Sequence, residues 1–256
     1  MCSSDLAARA GALGIRAATS VEALANDTPV ILLCLPNVAA LDQVAAALVK
    51  RGSIVAELST LPLDAKMAAH DRLAAKGVVL LDCPLSGTGA QAVTGDLSVF
   101  ASGDEAAWNV CAPFFKDFAR VTHYLGAFGN GTKMKFVANL LVAIHNVAAA
   151  EAVLLGLKAG LDPATLVKVA GSGAGASRML EMRGPMMVAD TFTPATMKMD
   201  LWQKDMNLIA EFAAQLGVKT PVFDATAPLY EEALAIGLGE SDTAAVFEVL
   251  KGLERA

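Results

Sequence analysis

Aromatic side chains are scarce, 5% of 256 residues against 55% hydrophobic overall, so the interior must be built largely from Ala, Val and Leu. A basic excess is also missing. The net charge is −6, and nucleic acid or an anionic membrane surface would each require a basic face, so neither is expected as a partner. Close cysteine pairs are absent: Cys2, Cys34, Cys83 and Cys111 stand far apart, and His70, His123 and His145 make no metal-ligand spacing. Reduced thiols, no metal and a cytoplasmic location are the expectation. No secretory signal is visible. The uncharged stretch 136–150 contains Asn139, His145 and Asn146, too short and too polar for a bilayer span, so it reads as part of a core helix.

What the chain does have is alternation. Pro29–Pro36 (PVILLCLP) is a continuous apolar run and predicts a strand buried on both faces. Val38–Lys50 predicts a helix, Ser53–Leu58 a strand, Leu63–Lys76 a helix stopped by Gly77, and Val78–Asp82 a third strand. Leu97–Ser102 and Arg120–Leu125 predict two more strands, flanking a helix Asp104–Phe115 that Asp104 can cap. Strands alternating with helices of this length mean βαβ units and a mostly parallel sheet. Beyond Gly126 the pattern is helical: Pro163–Ala170, Ser177–Arg183, Thr196–Leu216, Val222–Ile236 and Thr243–Leu253. The expected organisation is a parallel-sheet unit over 1–125 and an all-helical unit over 126–256, joined by one long helix.

That helix lies in Gly126–Gly160. Gly126, Gly129 and Gly131 open the stretch, and Thr132–Leu155 then contains no Gly or Pro. Apolar residues at 137, 140, 141, 144, 147, 148 and 154 recur at helical spacing, which predicts a mostly buried helix. Lys133 and Lys135 sit near its start, where the helix dipole opposes a cation by roughly 0.3–1 kcal/mol. Asn139, four residues on, shares the face of Lys135. Lys133 points elsewhere and reads as a surface charge. Opposed by the dipole and by a second lysine, Lys135 should have a lowered pKa, as suits a proton donor or acceptor.

In open parallel sheets, ligands bind beyond the carboxyl ends of the strands. Leu35-Pro36-Asn37, Ser59-Thr60 and Ser86–Gly89 all fall at such ends, where small residues let backbone N–H groups converge. The glycine fingerprint of a dinucleotide pyrophosphate site is not found. Gly171-Ser172-Gly173-Ala174-Gly175 follows a helix, and Gly126-x-x-Gly129-x-Gly131 has the reversed spacing.

Three motifs carry a family resemblance. Asp82-Cys83-Pro84-Leu85-Ser86-Gly87-Thr88 with Gly95 and Leu97 resembles the substrate segment of β-hydroxyacid dehydrogenases, the family of 3-hydroxyisobutyrate dehydrogenase and tartronate semialdehyde reductase. Gly129-x-Gly131-x-x-x-Lys135-x-x-x-Asn139 resembles their catalytic segment, and Lys204-Asp205, with Gly217 and Pro221, a third signature. Cys34-Leu35-Pro36 and Ser59-Thr60 resemble their nicotinamide loops. The resemblance implies a Rossmann unit plus an all-helical unit, NAD or NADP as cofactor, a small hydroxy acid as substrate, and a homodimer or homotetramer. It implies Lys135 as general acid/base and Asn139 as a substrate-orienting group. It places Ser86, Gly87 and Thr88 on the substrate carboxylate and Leu35, Pro36, Thr60 and Lys204 along the cofactor.

The sequence departs from the family in two ways. The family's first strand, glycine-rich turn and first helix have no counterpart here. Residues 1–6, MCSSDL, resemble a translated sequencing adapter, so natural sequence is expected to start near Ala7 with an N-terminal segment missing, which leaves NAD against NADP open. Ser86-Gly87-Thr88 also stands where the family usually has Ser-Gly-Gly, and a side chain there narrows or re-polarises the carboxylate pocket, which leaves the substrate open. Two rivals share the fold: an imine reductase, a group that usually lacks this lysine, and a non-catalytic oligomerisation module, which would have no need of Lys135, Asn139 and Lys204 together.

Overall fold

The computed structural model describes residues 3–253; the adapter-like hexapeptide begins at Met1 and Cys2, outside the described residues. The chain forms two compact units, Met1–Leu85 with Ser98–Thr132 and Ser86–Leu97 with Lys133–Ala256. The division differs from the expected break at 125/126. Segment 86–97 groups with the helical unit, and the first residues of the long helix group with the sheet.

In the first unit, α1 (Ser3–Ala12) and α2 (Val21–Asp27) precede β1 (Val30–Leu33). There follow α3 (Val38–Ala47), β2 (Ile54–Glu57), α4 (Leu63–Ala74) and β3 (Val79–Asp82). The strand order is β1-β2-β3, all parallel, with Leu33 opposite Glu57 and Glu57 opposite Asp82. The chain then makes β4 (Leu85–Ser86), α5 (Gly89–Val93), β5 (Leu97–Ala101), α6 (Glu105–Phe115) and β6 (Ala119–Tyr124), with β4-β5-β6 forming a second sheet. An antiparallel bridge between Asp82 and Ser102 links the ends of β3 and β5. As expected, Asp104 caps α6, its Oδ1 accepting from Ala107 N at 2.7 Å.

Residues alternate along β2 as buried parallel strands require. Val55 packs with Ile31, Leu41, Leu73 and Leu80 on one face, while Ala56 packs with Leu81, Val99, Trp108 and Phe115 on the other. Strand β1 departs from the expectation of burial on both faces. Ile31 and Leu33 are buried, but Leu32 is 41% exposed, because β1 ends the order β1-β2-β3 and has a hydrogen-bonded neighbour on one side only.

The second unit is helical: α7 (Asn130–Lys158, whose first three residues belong to the sheet unit), α8 (Pro163–Ala170), α9 (Arg178–Val188), α10 (Met199–Gln215), α11 (Pro221–Ala235) and α12 (Val246–Leu253). The buried face of α7 follows the apolar stripe read from the sequence only in part: Val147 is buried and residues 140, 144 and 154 are half-buried. Val137 and Leu141 are exposed, whereas Lys135, Phe136, Asn139, Ala143, Asn146, Val147, Ala150 and Val153 are buried. The buried polar groups decide which face turns inward, because each has a partner there. Asn146 Nδ2 donates to Tyr230 Oη at 3.0 Å and to the Thr243 carbonyl at 2.9 Å. By length and composition α7 could cross a membrane. Its buried amides, Asn139 and Asn146, donate to side chains of other helices and fit a core helix better, since intramembrane amides are costly.

Candidate active site

Lys135 lies in the second turn of α7 and is 7% exposed. Its amine is lowered to about 8. Burial is the largest cause, Asp205 pulls the value back up, and Lys204 pushes it down. The direction matches the sequence argument and the cause does not. Lys133 is exposed, and the second lysine that acts on Lys135 is Lys204, on α10.

One turn further along α7, Asn139 Nδ2 donates to Asp205 Oδ2 at 2.9 Å. Asp205 is buried and Lys204 exposed, with Lys204 Nζ 3.4 Å from Asp205 Oδ1. Burial raises the Asp205 pKa against the opposing pull of Lys204, Lys135 and the Asn139 bond. Asp205 Oδ1 therefore has the Lys204 ammonium as its neighbour. The Asp205 contact was missed as part of the site. The available signal was its position beside Lys204, with buried residues Trp202, Asp205, Met206 and Ile209 recurring along one face of α10.

The turn at 86–88 is set by steric limits. Gly87 has φ +130, and a Cβ there would lie 2.5 Å from Leu97 Cδ2, so only glycine fits. Thr88 N donates to Gln91 Oε1 at 2.9 Å, and the buried Thr88 hydroxyl faces the Gln91 backbone N–H in a capping box that opens α5. The Thr88 amide is therefore engaged within the turn.

In the sheet unit, Leu35-Pro36 and Ser59-Thr60 follow adjacent parallel strands. Leu35 N donates to Ser59 Oγ at 2.7 Å, which brings the two turns together at the carboxyl edge. Leu35 and Thr60 are half-buried and Pro36 is exposed. Both turns lie at the strand ends, where open α/β sheets bind ligands. Among the described residues no group of metal-ligating side chains occurs.

Comparison with known proteins follows this geometry. Residues 3–126 match the model described as the NAD binding domain of 6-phosphogluconate dehydrogenase. Residues 129–250 match the model described as NAD-binding of NADP-dependent 3-hydroxyisobutyrate dehydrogenase. An L-threonate dehydrogenase from Cupriavidus necator is 33% identical over 211 residues, covering 82% of this chain and 71% of the relative. The chain belongs to the NAD(P)-dependent hydroxyacid dehydrogenase family. A glyoxylate/succinic semialdehyde reductase 2 from Arabidopsis thaliana is 32% identical, covering 79% of this chain and 56% of the relative. A solved structure of a 3-hydroxyisobutyrate dehydrogenase from Salmonella typhimurium superposes with a TM-score of 0.84 at 29% identity, covering 96% of this chain and 88% of that one. The family binds NAD or NADP, and the two matched models meet between residues 126 and 129, just before α7 begins.

Proposed function

We propose that this hydroxyacid dehydrogenase interconverts a small 3-hydroxy acid and its semialdehyde, with Lys135 as the proton-transfer group. A bound nicotinamide supplies the hydride acceptor or donor. Lys135 takes the hydroxyl proton during oxidation and returns it during reduction. Asn139 and Asp205 hold the substrate oxygens in line. Ser86, Gly87 and Thr88 face the substrate carboxylate, with Thr88 narrowing the space. Leu35, Pro36, Thr60 and Lys204 line the cofactor. The observation that carries this reading is a buried lysine of pKa about 8, beside a buried carboxylate that Asn139 hydrogen-bonds.

The reading fixes the sign of the pH dependence. Oxidation needs the neutral amine, so its rate should rise as pH passes about 8, and reduction needs the ammonium, so its rate should fall over the same window. Asp205 raises the Lys135 pKa, so Asp205→Asn should move both limbs to lower pH. Limbs that stay in place in that variant would count against the assignment.

A screen of 3-hydroxy acids, semialdehydes and imines against both cofactors, followed by nicotinamide absorbance, tests the substrate class. Turnover of imines alone would move the chain to the imine reductases, a reading that Lys135 disfavours. We propose a reducing, cytoplasmic setting; among the described residues Cys34, Cys83 and Cys111 form no disulfide. Met134, Val137 and Leu141 on the exposed side of α7 support assembly into a homodimer or homotetramer.

A further inference from the structure

Three charged side chains in the sheet unit are fully buried and take no part in the chemistry above. Lys66 on α4 reaches Glu57 Oε2 at 2.6 Å and Asp82 Oδ1 at 2.9 Å, all three with no exposed side-chain surface. Burial works against the ammonium, but Asp82 and Glu57 keep it charged by raising its pKa. Sequestering an ion costs several kcal/mol, and an apolar trio of the same volume is often as stable, so stability alone is a poor reason for such a cluster. Its connections supply a better one.

From Glu57 the network runs to one strand-end turn. Glu57 Oε1 accepts from Ser59 N at 2.9 Å, and Ser59 Oγ accepts from Leu35 N at 2.7 Å. From Asp82 it runs to the start of α7. Asp82 Oδ2 accepts from Thr132 N and Oδ1 from Thr132 Oγ1, each at 2.7 Å. Ser102 Oγ lies 3.3 Å from Asp82 Oδ2 and accepts from Gly131 N at 2.9 Å. A carboxylate on the first N–H groups of a helix is favoured by the dipole. Lys66 touches both acids, and so joins the two branches.

We propose that Lys66 is a positioning residue: through Glu57 and Asp82 it couples the Leu35 and Ser59 turns to the first turn of α7, fixing where the helix that carries Lys135 begins. The inference rests on the function proposed above for its relevance to catalysis, but the coupling itself is physical and measurable without turnover. Removing Lys66 leaves two carboxylates facing each other without a cation, which loosens both branches at once.

Amide hydrogen exchange on the full chain tests this. In Lys66→Met, protection at Leu35, Ser59, Gly131 and Thr132 should fall by about tenfold or more relative to the rest of the sheet unit. A uniform fall across the unit would mean a merely structural role and overturn the proposal. Should Lys66→Met not fold, the milder pair Ser59→Ala and Thr132→Val decides. The exchange change at Gly131 in the double variant should differ from the sum of the singles, and strict additivity would overturn the coupling. With substrate, Lys66→Met should lower kcat about tenfold or more while KM for the hydroxy acid stays within about twofold. If the unaltered protein turns over no hydroxy acid, the proposed function fails, while the exchange result still decides the coupling.

Discussion

Replacing Lys135 by alanine is expected to lower kcat for hydroxy acid oxidation by about 10²–10⁴-fold, with the fold intact. The size of the effect follows from the role. The carbinol proton must leave as the carbonyl forms, and among the residues gathered at this site only Lys135 has an amine tuned to about 8. The fold should survive because Lys135 is buried at a desolvation cost, visible in its lowered pKa, and alanine removes that cost. Circular dichroism and a urea titration check the fold; steady-state kinetics in both directions check the rate. Turnover like that of the unaltered protein would remove Lys135 from the mechanism.

Gly131→Ala should produce the largest loss of stability of the glycine-to-alanine changes, since its Cβ would make the closest backbone contact. A Cβ at Gly131 would lie 2.2 Å from the Phe100 carbonyl oxygen, 2.7 Å from the Asp82 carbonyl oxygen and 3.1 Å from Asp82 Oδ2. The two nearest atoms are backbone at the ends of neighbouring strands and cannot swing aside. Overpacking costs typically about 1–3 kcal/mol and occasionally more, and the backbone contact places this site at the upper end. The variant also displaces the Gly131 N to Ser102 Oγ bond and the Asp82 cap on Thr132. A lowered urea midpoint with an unchanged slope is the expected result. As a control, Gly173→Ala has nothing within 4 Å of its Cβ and should leave the midpoint nearly unmoved.

Much of this molecule was readable before any coordinates. The strands at 30–33, 54–57 and 79–82 follow from short apolar runs, and α6 follows from its cap at Asp104. The position of Lys135 four residues before Asn139 on one helical face was legible from spacing alone. Which face of α7 turns inward was not. Apolar periodicity pointed to 137 and 141, whereas burial follows the polar residues 135, 139 and 146, because their partners Asp205, Tyr230 and Thr243 come from distant parts of the chain. The same limit explains why the pKa argument reached the right direction through the wrong lysine. Lys133 is near in sequence, but Lys204 is the one near in space. Gly131 read as one of three loop glycines, and its need for glycine shows only once β3 and β5 are seen to pass against it. Short elements were missed where local chemistry sets them, as in α5, which Gln91 closes by accepting from Thr88 N.

The central claim is that burial tunes one amine for proton transfer. Nitrogen-15 or carbon-13 NMR titration of the Lys135 side chain, assigned by its absence in Lys135→Ala, measures that directly. A midpoint near the expected value of about 8 supports the account, and a midpoint at the ordinary lysine value of 10.5 would contradict it.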